Sequence, residues 1–143
     1  MKRKAAILLS SWGEDESDKV ERSLIGEVLD TGHAIWLYYK QCLSEDPADA
    51  VKEVLGLKLG DNEEVMEASM KRPEHGTELM FVPGESRSTM FPTPAGDIEA
   101  KIVTTIVTGS RLDDGAKVYL EYEFFLQNEL QGKRKMQITC QWV

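Results

Sequence analysis

From Asp97 to the C-terminus apolar residues fall on every second position, and no other feature of the sequence narrows the fold as much. In Asp97–Thr108 the even positions carry Ile98, Ala100, Ile102, Thr104 and Ile106, against Asp97, Glu99 and Lys101. In Lys117–Gln127, Val118, Leu120, Tyr122, Phe124 and Leu126 share one face, while Lys117, Glu121 and Glu123 share the other. In Lys133–Val143, Met136, Ile138, Cys140 and Trp142 oppose Lys133, Lys135, Gln137 and Thr139. A period of two sends each apolar set to the inner face of a half-buried sheet. Even residues must then pair with even ones, which predicts an odd number of residues in the loop around Asn128–Gln131. A five-residue loop sets Glu123 opposite Lys135 and Tyr122 opposite Met136, an ion pair outside and an aromatic–sulfur contact inside. The run Lys133-Arg134-Lys135 then reads as a neutralised sheet exterior.

Short apolar runs separated by turn signals recur along the rest of the chain. They predict strands at Lys4–Trp12, Val20–Leu29, His33–Gln41, Lys52–Leu59, Val65–Lys71, Thr77–Val82 and Arg87–Phe91, ahead of the three above. Asp30-Thr31-Gly32 fits a three-residue hairpin turn with Gly at positive φ, and Thr93-Pro94-Ala95-Gly96 fits a type I turn. Asp61-Asn62 and Asp113-Asp114-Gly115 are turn chemistry of the same kind. The pattern is that of an all-β sandwich or barrel. One stretch differs: Asp46-Pro47 and nearby acids signal a helix start, so a helical turn is predicted at Pro47–Ala50, leading into a strand. Val51, Leu55, Leu57 and Leu59 alternate there, and Glu53 is the exception.

A chain of 143 residues, 41% of them hydrophobic, is one domain with a core of its own. The net charge of −8 argues against nucleic acid as the main partner. It is unevenly placed. Glu14–Glu64 holds 14 acids and 5 bases, whereas the remainder is close to neutral. The acidic stretch reads as solvated loops and surface that repel anionic partners. No apolar run is long enough for a membrane span, and Ala5–Leu9 is too short for a signal peptide core. Cys42 and Cys140 are too few for a disulfide framework or a zinc site, which predicts a reduced, cytoplasmic protein.

Chemical motifs are sparse. No nucleophile elbow, phosphate-binding loop or dinucleotide fingerprint is present. His33 and His75 stand singly beside turn glycines, and Glu14–Asp18 lacks the pattern of a calcium loop, so neither metal nor cofactor is expected. Cys140 is expected in the core and inert. Trp36 and Tyr38 share one face of their strand, while Tyr122, Phe124 and Trp142 project inward. Arg72 and Arg87 are the basic candidates. An arginine inside a barrel needs an anionic partner, either a buried acid or a ligand carboxylate.

The segment Phe81-Val82-Pro83-Gly84, followed by Met90-Phe91-Pro92-Thr93-Pro94-Ala95-Gly96-Asp97-Ile98, resembles the YwiB-like proteins, a bacterial domain of unknown function. The similarity runs through Leu112-Asp113, Val118–Tyr122 and Met136–Thr139, and back to Leu37-Tyr38-Tyr39 and Arg72. Ala95, where the family often has an aromatic, Pro73-Glu74 and the Ser44–Ala50 insert depart from the pattern. The resemblance implies a calycin-like antiparallel barrel of about eight strands, akin to lipocalins. It implies no activity and no catalytic residues.

The leading expectation is therefore a small, partly apolar ligand, possibly an acid, bound in the barrel interior by Trp36, Tyr38, Arg72, Arg87, Tyr122, Phe124 and Trp142. Any site is expected in the second half of the chain. The alternative is a solid barrel acting as an interaction or homodimerisation module through an outer patch of Val103, Val107, Tyr119 and Phe125. An enzyme ranks last. Its strongest support would be a buried Arg/Glu/Tyr cluster with perturbed titration.

Overall fold

The computed structural model describes residues 2–42, 48 and 50–143, apart from the side chains of Glu16, Cys42 and Pro92. Ten antiparallel strands form one sheet: β1 (Arg3–Trp12), β2 (Val20–Asp30), β3 (Ala34–Cys42), β4 (Ala50–Leu59), β5 (Val65–Arg72), β6 (Thr77–Phe81), β7 (Ser86–Thr93), β8 (Gly96–Leu112), β9 (Gly115–Leu126) and β10 (Glu129–Trp142). The order is β6-β5-β4-β3-β2-β1-β10-β9-β8-β7, so each strand lies beside its sequence neighbour and β1 also pairs with β10. The sheet curls until its two ends face each other, giving a nearly closed barrel that leaves little free edge. Each of the ten apolar runs forms a strand, so the count is ten rather than about eight. The predicted helical turn at Pro47–Ala50 falls largely outside the described residues; from Ala50 to Leu59 the chain is strand.

The seam between β6 and β7 is closed by the turn that joins them. Val82-Pro83-Gly84-Glu85 is a tight turn in which the Glu85 N–H donates to the Val82 carbonyl at 3.0 Å. Pro at its second position and Gly84 at φ 78° in the third define a type II turn. The turn presents the Gly84 N–H to the Thr104 carbonyl at 2.9 Å, and the Thr104 N–H donates to Glu85 O at 3.2 Å. Phe81, fully buried, packs on Tyr122 with ring centroids 5.0 Å apart. Further along the seam the Arg111 N–H donates to Glu63 O at 2.9 Å.

Two irregularities change the expected register. The β9–β10 hairpin turns on two residues, Gln127 and Asn128, both at positive φ (50° and 66°), as a type I′ turn requires. Leu126 therefore faces Glu129, an even–odd pair, and a bulge between Leu130 and Gly132 restores even–even pairing. Glu123 consequently faces Lys133, Glu121 faces Lys135, and Tyr122 faces Arg134 rather than Met136. Lys133 and Lys135 are exterior as expected, but Arg134 lies on the inner face. In β8 a second bulge, between Thr104 and Ile106, reverses the parity. Ile106 turns outward and is 39% exposed, while Val107 packs against the core.

The interior is one apolar cluster. Ile7, Ile35, Leu37, Leu55, Leu57, Leu120 and Ile138, each at most 2% exposed, fill its centre from β1, β3, β4, β9 and β10. Burial of this kind, at about 25 cal/mol per Å² of apolar surface, is the main force closing the sheet. Among the described residues no helix is long and apolar enough to cross a membrane.

Candidate functional site

One charged side chain breaks the apolar interior. Glu53 takes an inner-face position of β4, opposite Tyr39 of β3, and its side chain is 0% exposed. A buried carboxylate is tolerable only when its oxygens are satisfied. The Tyr39 hydroxyl donates to Oε1 at 2.7 Å, Arg72 Nε donates to Oε2 at 2.8 Å, and Gln41 Nε2 donates to Oε2 at 3.2 Å. Burial pushes the Tyr39 phenol far above its ordinary range, and the Glu53 charge adds to the effect, so Tyr39 remains a donor at any physiological pH.

This is an Arg/Glu/Tyr cluster of the kind that would favour an enzyme, yet its geometry points to positioning. A general base needs a lone pair open to substrate, whereas three donors occupy both Glu53 oxygens and no part of the carboxylate meets solvent. The cluster's effect is on Arg72. Only its Nε is committed to Glu53, and the side chain remains 29% exposed. The other guanidinium nitrogens have no ion-pair partner among the described residues.

Arg72 faces a cavity of about 180 Å³ at one end of the barrel. Its polar lining is Ser10, Ser11, Arg22, Gln41 and Arg72, and its apolar lining is Leu9, Val20, Met70 and Met136; among the described residues no carboxylate lines it. Arg22 sits opposite Leu9 in the β1–β2 ladder, which places it on the inner side of the rim. It is exposed and makes no ion pair among the described residues. The neighbouring Arg134 is engaged, with Nη1 3.1 Å from Asp18 Oδ2 and Nη2 3.0 Å from Ser11 Oγ. The Gly13 N–H bonded to Asp18, helped by Arg134, holds that carboxyl below its ordinary value.

In the same region the wall loses its regular pairing. β2 and β3 pair only from Glu27–Tyr38 to Asp30–Ile35. The ladder stops at Gly26, where β3 crosses so closely that a Cβ would stand 2.5 Å from the Tyr38 carbonyl oxygen and 3.0 Å from Ile7 Cδ1. On the outer side of the wall here lies a larger groove of about 630 Å³, whose lining includes Lys2, Lys4, Lys40, Lys52 and Tyr38. Tyr39 and Glu53 contribute to its floor, while Gln41 and Arg72 line the barrel-end cavity, so the buried cluster is the partition between the two.

The expected site residues do not converge. Arg72 alone reaches the barrel-end cavity. Trp36 and Tyr38 do share a face, but it is the outer one, because Ile35, Leu37 and Tyr39 occupy the core. Trp36 covers Gly56, and a Cβ there would lie 2.5 Å from the Trp36 ring. Tyr38 lines the outer groove with Lys2 Nζ 4.0 Å above its ring. Arg87 shares a face with Ile102 by register, yet β7 ends the sheet, and the side chain is exposed and paired with Glu85 at 3.0 Å. Tyr122, Phe124 and Trp142 project inward and pack against the core. Phe124 also meets Phe91 edge-on at 6.2 Å. The outer patch is interrupted: Val107 faces inward, Tyr119 donates to Glu121 Oε1 at 2.6 Å, and Phe125 lies under Lys101. Both cavities draw mainly on the first half of the chain, not the second.

Glu53, Tyr39, Gln41, Ser11, Arg22 and the groove lysines were not singled out by their sequence context as site residues. For Glu53 a signal existed, since it is the acid that interrupts the alternation of β4. Cys140 is buried as expected, donates to Ala116 O at 3.6 Å, and has its thiol pushed up to about 11 by burial.

These features define a class: a nearly closed, ten-stranded antiparallel barrel with an apolar centre and a cationic opening at one end. The chain belongs to the family described as a domain of unknown function (DUF1934), which matches residues 10–138. Among solved structures, the crystal structure of the ywiB protein from Bacillus subtilis is similar, with a TM-score of 0.76 over 99% of this chain and 93% of that one. The two are 17% identical, so the likeness establishes the fold. No curated protein matches the chain.

Proposed function

We propose that this protein binds a small, partly apolar anion in the open end of its barrel. The observation that carries the reading is the lining of the cavity: arginine, amide and hydroxyl donors above an apolar floor, with no carboxylate among the described residues. Arg22 is the decisive residue. An arginine held at an inner-face position without a protein partner is the arrangement a ligand carboxylate would complete. Size sets the ligand class. At about 180 Å³ the cavity has room for roughly six waters, well below the several hundred Å³ of a drug-sized site. A short-chain monocarboxylate fits, with its carboxylate between Arg22 and Arg72 and its alkyl part on Leu9, Met70 and Met136.

Titration of ¹⁵N-labelled protein with butyrate, followed by NMR, tests this. Saturable shifts should centre on Ser11, Arg22, Gln41 and Arg72, with a dissociation constant near 1 mM, about 4 kcal/mol of binding. Arg22→Gln should weaken binding about tenfold, or about 1.4 kcal/mol. Its stability should be unchanged, because Arg22 makes no ion pair in the fold. Butyrate shifts that are absent, non-saturable or insensitive to Arg22→Gln would refute the proposal.

A further inference from the structure

The outer groove concentrates positive charge on an acidic protein. Lys2, Lys4, Lys40 and Lys52 line it, and none of them has a carboxylate within ion-pair distance among the described residues. The sheet register brings them together. Lys4 faces Glu27, Glu27 faces Tyr38, and Tyr38 faces Val54 across β1 to β4. One step along, Lys40 lies directly opposite Lys52. Like charges opposed in a ladder are destabilising. Among the described residues lining the groove Glu27 is the one exposed carboxylate, since Glu53 is covered and bound by Arg72, while Glu74 Oε1 accepts from the Lys52 backbone N–H at 3.4 Å. The floor between the cations is aromatic and aliphatic, formed by Tyr38, Ile25 and Val54.

We propose that this groove is a second ligand site, separate from the barrel-end cavity, for a small organic polyphosphate: an aromatic or apolar group joined to two or more phosphates. The cations supply more positive charge than a single carboxylate would need, and phosphate groups accept from several lysines at once. The Tyr38 face, with which the Lys2 ammonium makes a cation–π contact, gives a planar group a surface to stack on. The volume of about 630 Å³ lies in the middle of the range for small-molecule sites. A groove of that size suits a compact anion better than a polymer.

Isothermal titration of the full chain with ATP in the absence of divalent cations tests the proposal, with pyrophosphate and adenosine as partial probes. ATP should bind saturably at one site per chain, pyrophosphate more weakly, and adenosine weakest. Lys40→Thr and Lys52→Gln should each weaken ATP about tenfold, the effect of losing one charge-assisted contact. Each should be at least as stable as the parent, because the opposed pair is relieved, so lost binding is not lost folding. Tyr38→Ala should reduce ATP binding while leaving pyrophosphate unchanged. Arg22→Gln should leave ATP binding intact, which separates this site from the barrel-end proposal, and exposed Lys117→Ala should do the same. ATP that fails to bind, binding equally sensitive to Lys117→Ala, or an oligonucleotide or oligoglutamate binding more tightly through the same lysines would each overturn the assignment.

Discussion

Breaking the Glu53 cluster should cost unequal amounts from its two sides, and burial decides the order. In Arg72→Met the Glu53 carboxylate, with none of its side chain exposed, keeps the Tyr39 and Gln41 donors and loses its counter-charge. Removing one partner of a buried pair costs about 3–5 kcal/mol, and this variant belongs at the upper end. In Glu53→Leu the stranded charge is Arg72, which is 29% exposed and can turn toward water at the barrel end. What remains is the orphaned Tyr39 hydroxyl, about 1–3 kcal/mol, offset in part by the apolar side chain gained. The expected losses are thus about 4 kcal/mol for Arg72→Met and about 2 kcal/mol for Glu53→Leu. The triple variant Tyr39→Phe/Glu53→Leu/Arg72→Met replaces the whole cluster by apolar groups and should recover most of the loss. Urea unfolding followed by tryptophan fluorescence gives each value, and the Glu53–Arg72 double-mutant cycle gives the coupling, expected at about 2 kcal/mol. Equal single losses, or a double variant as unstable as the sum of the singles, would refute the view that the pair is one buried electrostatic unit.

Three further outcomes follow from the fold. Gly84→Ala places a Cβ at φ 78° where nothing lies within 4 Å, so its cost is purely backbone, about 1–2 kcal/mol, and thermal unfolding should show it. The Thr104 hydroxyl is buried without a hydrogen-bond partner among the described residues, so Thr104→Val should raise stability by about 1 kcal/mol in the same assay. In a Cys42→Ser background, Cys140 should resist iodoacetamide at neutral pH until the chain is unfolded. Burial raises its thiol from the ordinary 9.0 to about 11, so the folded state holds the proton more tightly than the unfolded one. This contribution to stability is complete below pH 9 and declines as pH rises through 11, by about 3 kcal/mol in total. Equal alkylation of native and unfolded protein would contradict the burial.

The strands were legible because alternation is a local property, and where it was ambiguous the structure departs from the reading. Ala34-Ile35-Trp36-Leu37-Tyr38-Tyr39 is apolar at both parities, so the pattern could not assign Trp36 and Tyr38 to a face. Their outward placement is decided across the ladder, where Ile35 meets Leu57 and Leu37 meets Leu55. Thr104-Thr105-Ile106-Val107 is equally permissive, and the bulge there leaves no trace in the hydrophobic pattern. Even–even pairing in the β9–β10 hairpin was correct, but two compensating odd steps, a two-residue turn and a bulge, satisfy it as well as one odd loop does. Parity constrains only their sum.

The candidate sites required pairing information of a different order. Arg72 was marked by its need for an anion, and Glu53 by breaking an apolar face; the two are joined only when β4 and β5 are set side by side. Net charge misleads for a related reason. Lys40 and Lys52 belong to the stretch whose excess of acids suggests repulsion of anions, yet that excess is a sum over residues that the sheet separates. Strand parity sends Lys4, Lys40 and Lys52 to one surface, and lateral pairing draws them together with Glu27 as the one exposed carboxylate among the described lining residues. Within about a Debye length, roughly 8 Å at physiological salt, an approaching ligand meets that local set and not the total of −8. Acidic composition therefore argues against an extended polyanion that must cross the whole surface, and opposes a compact anion in the groove far less.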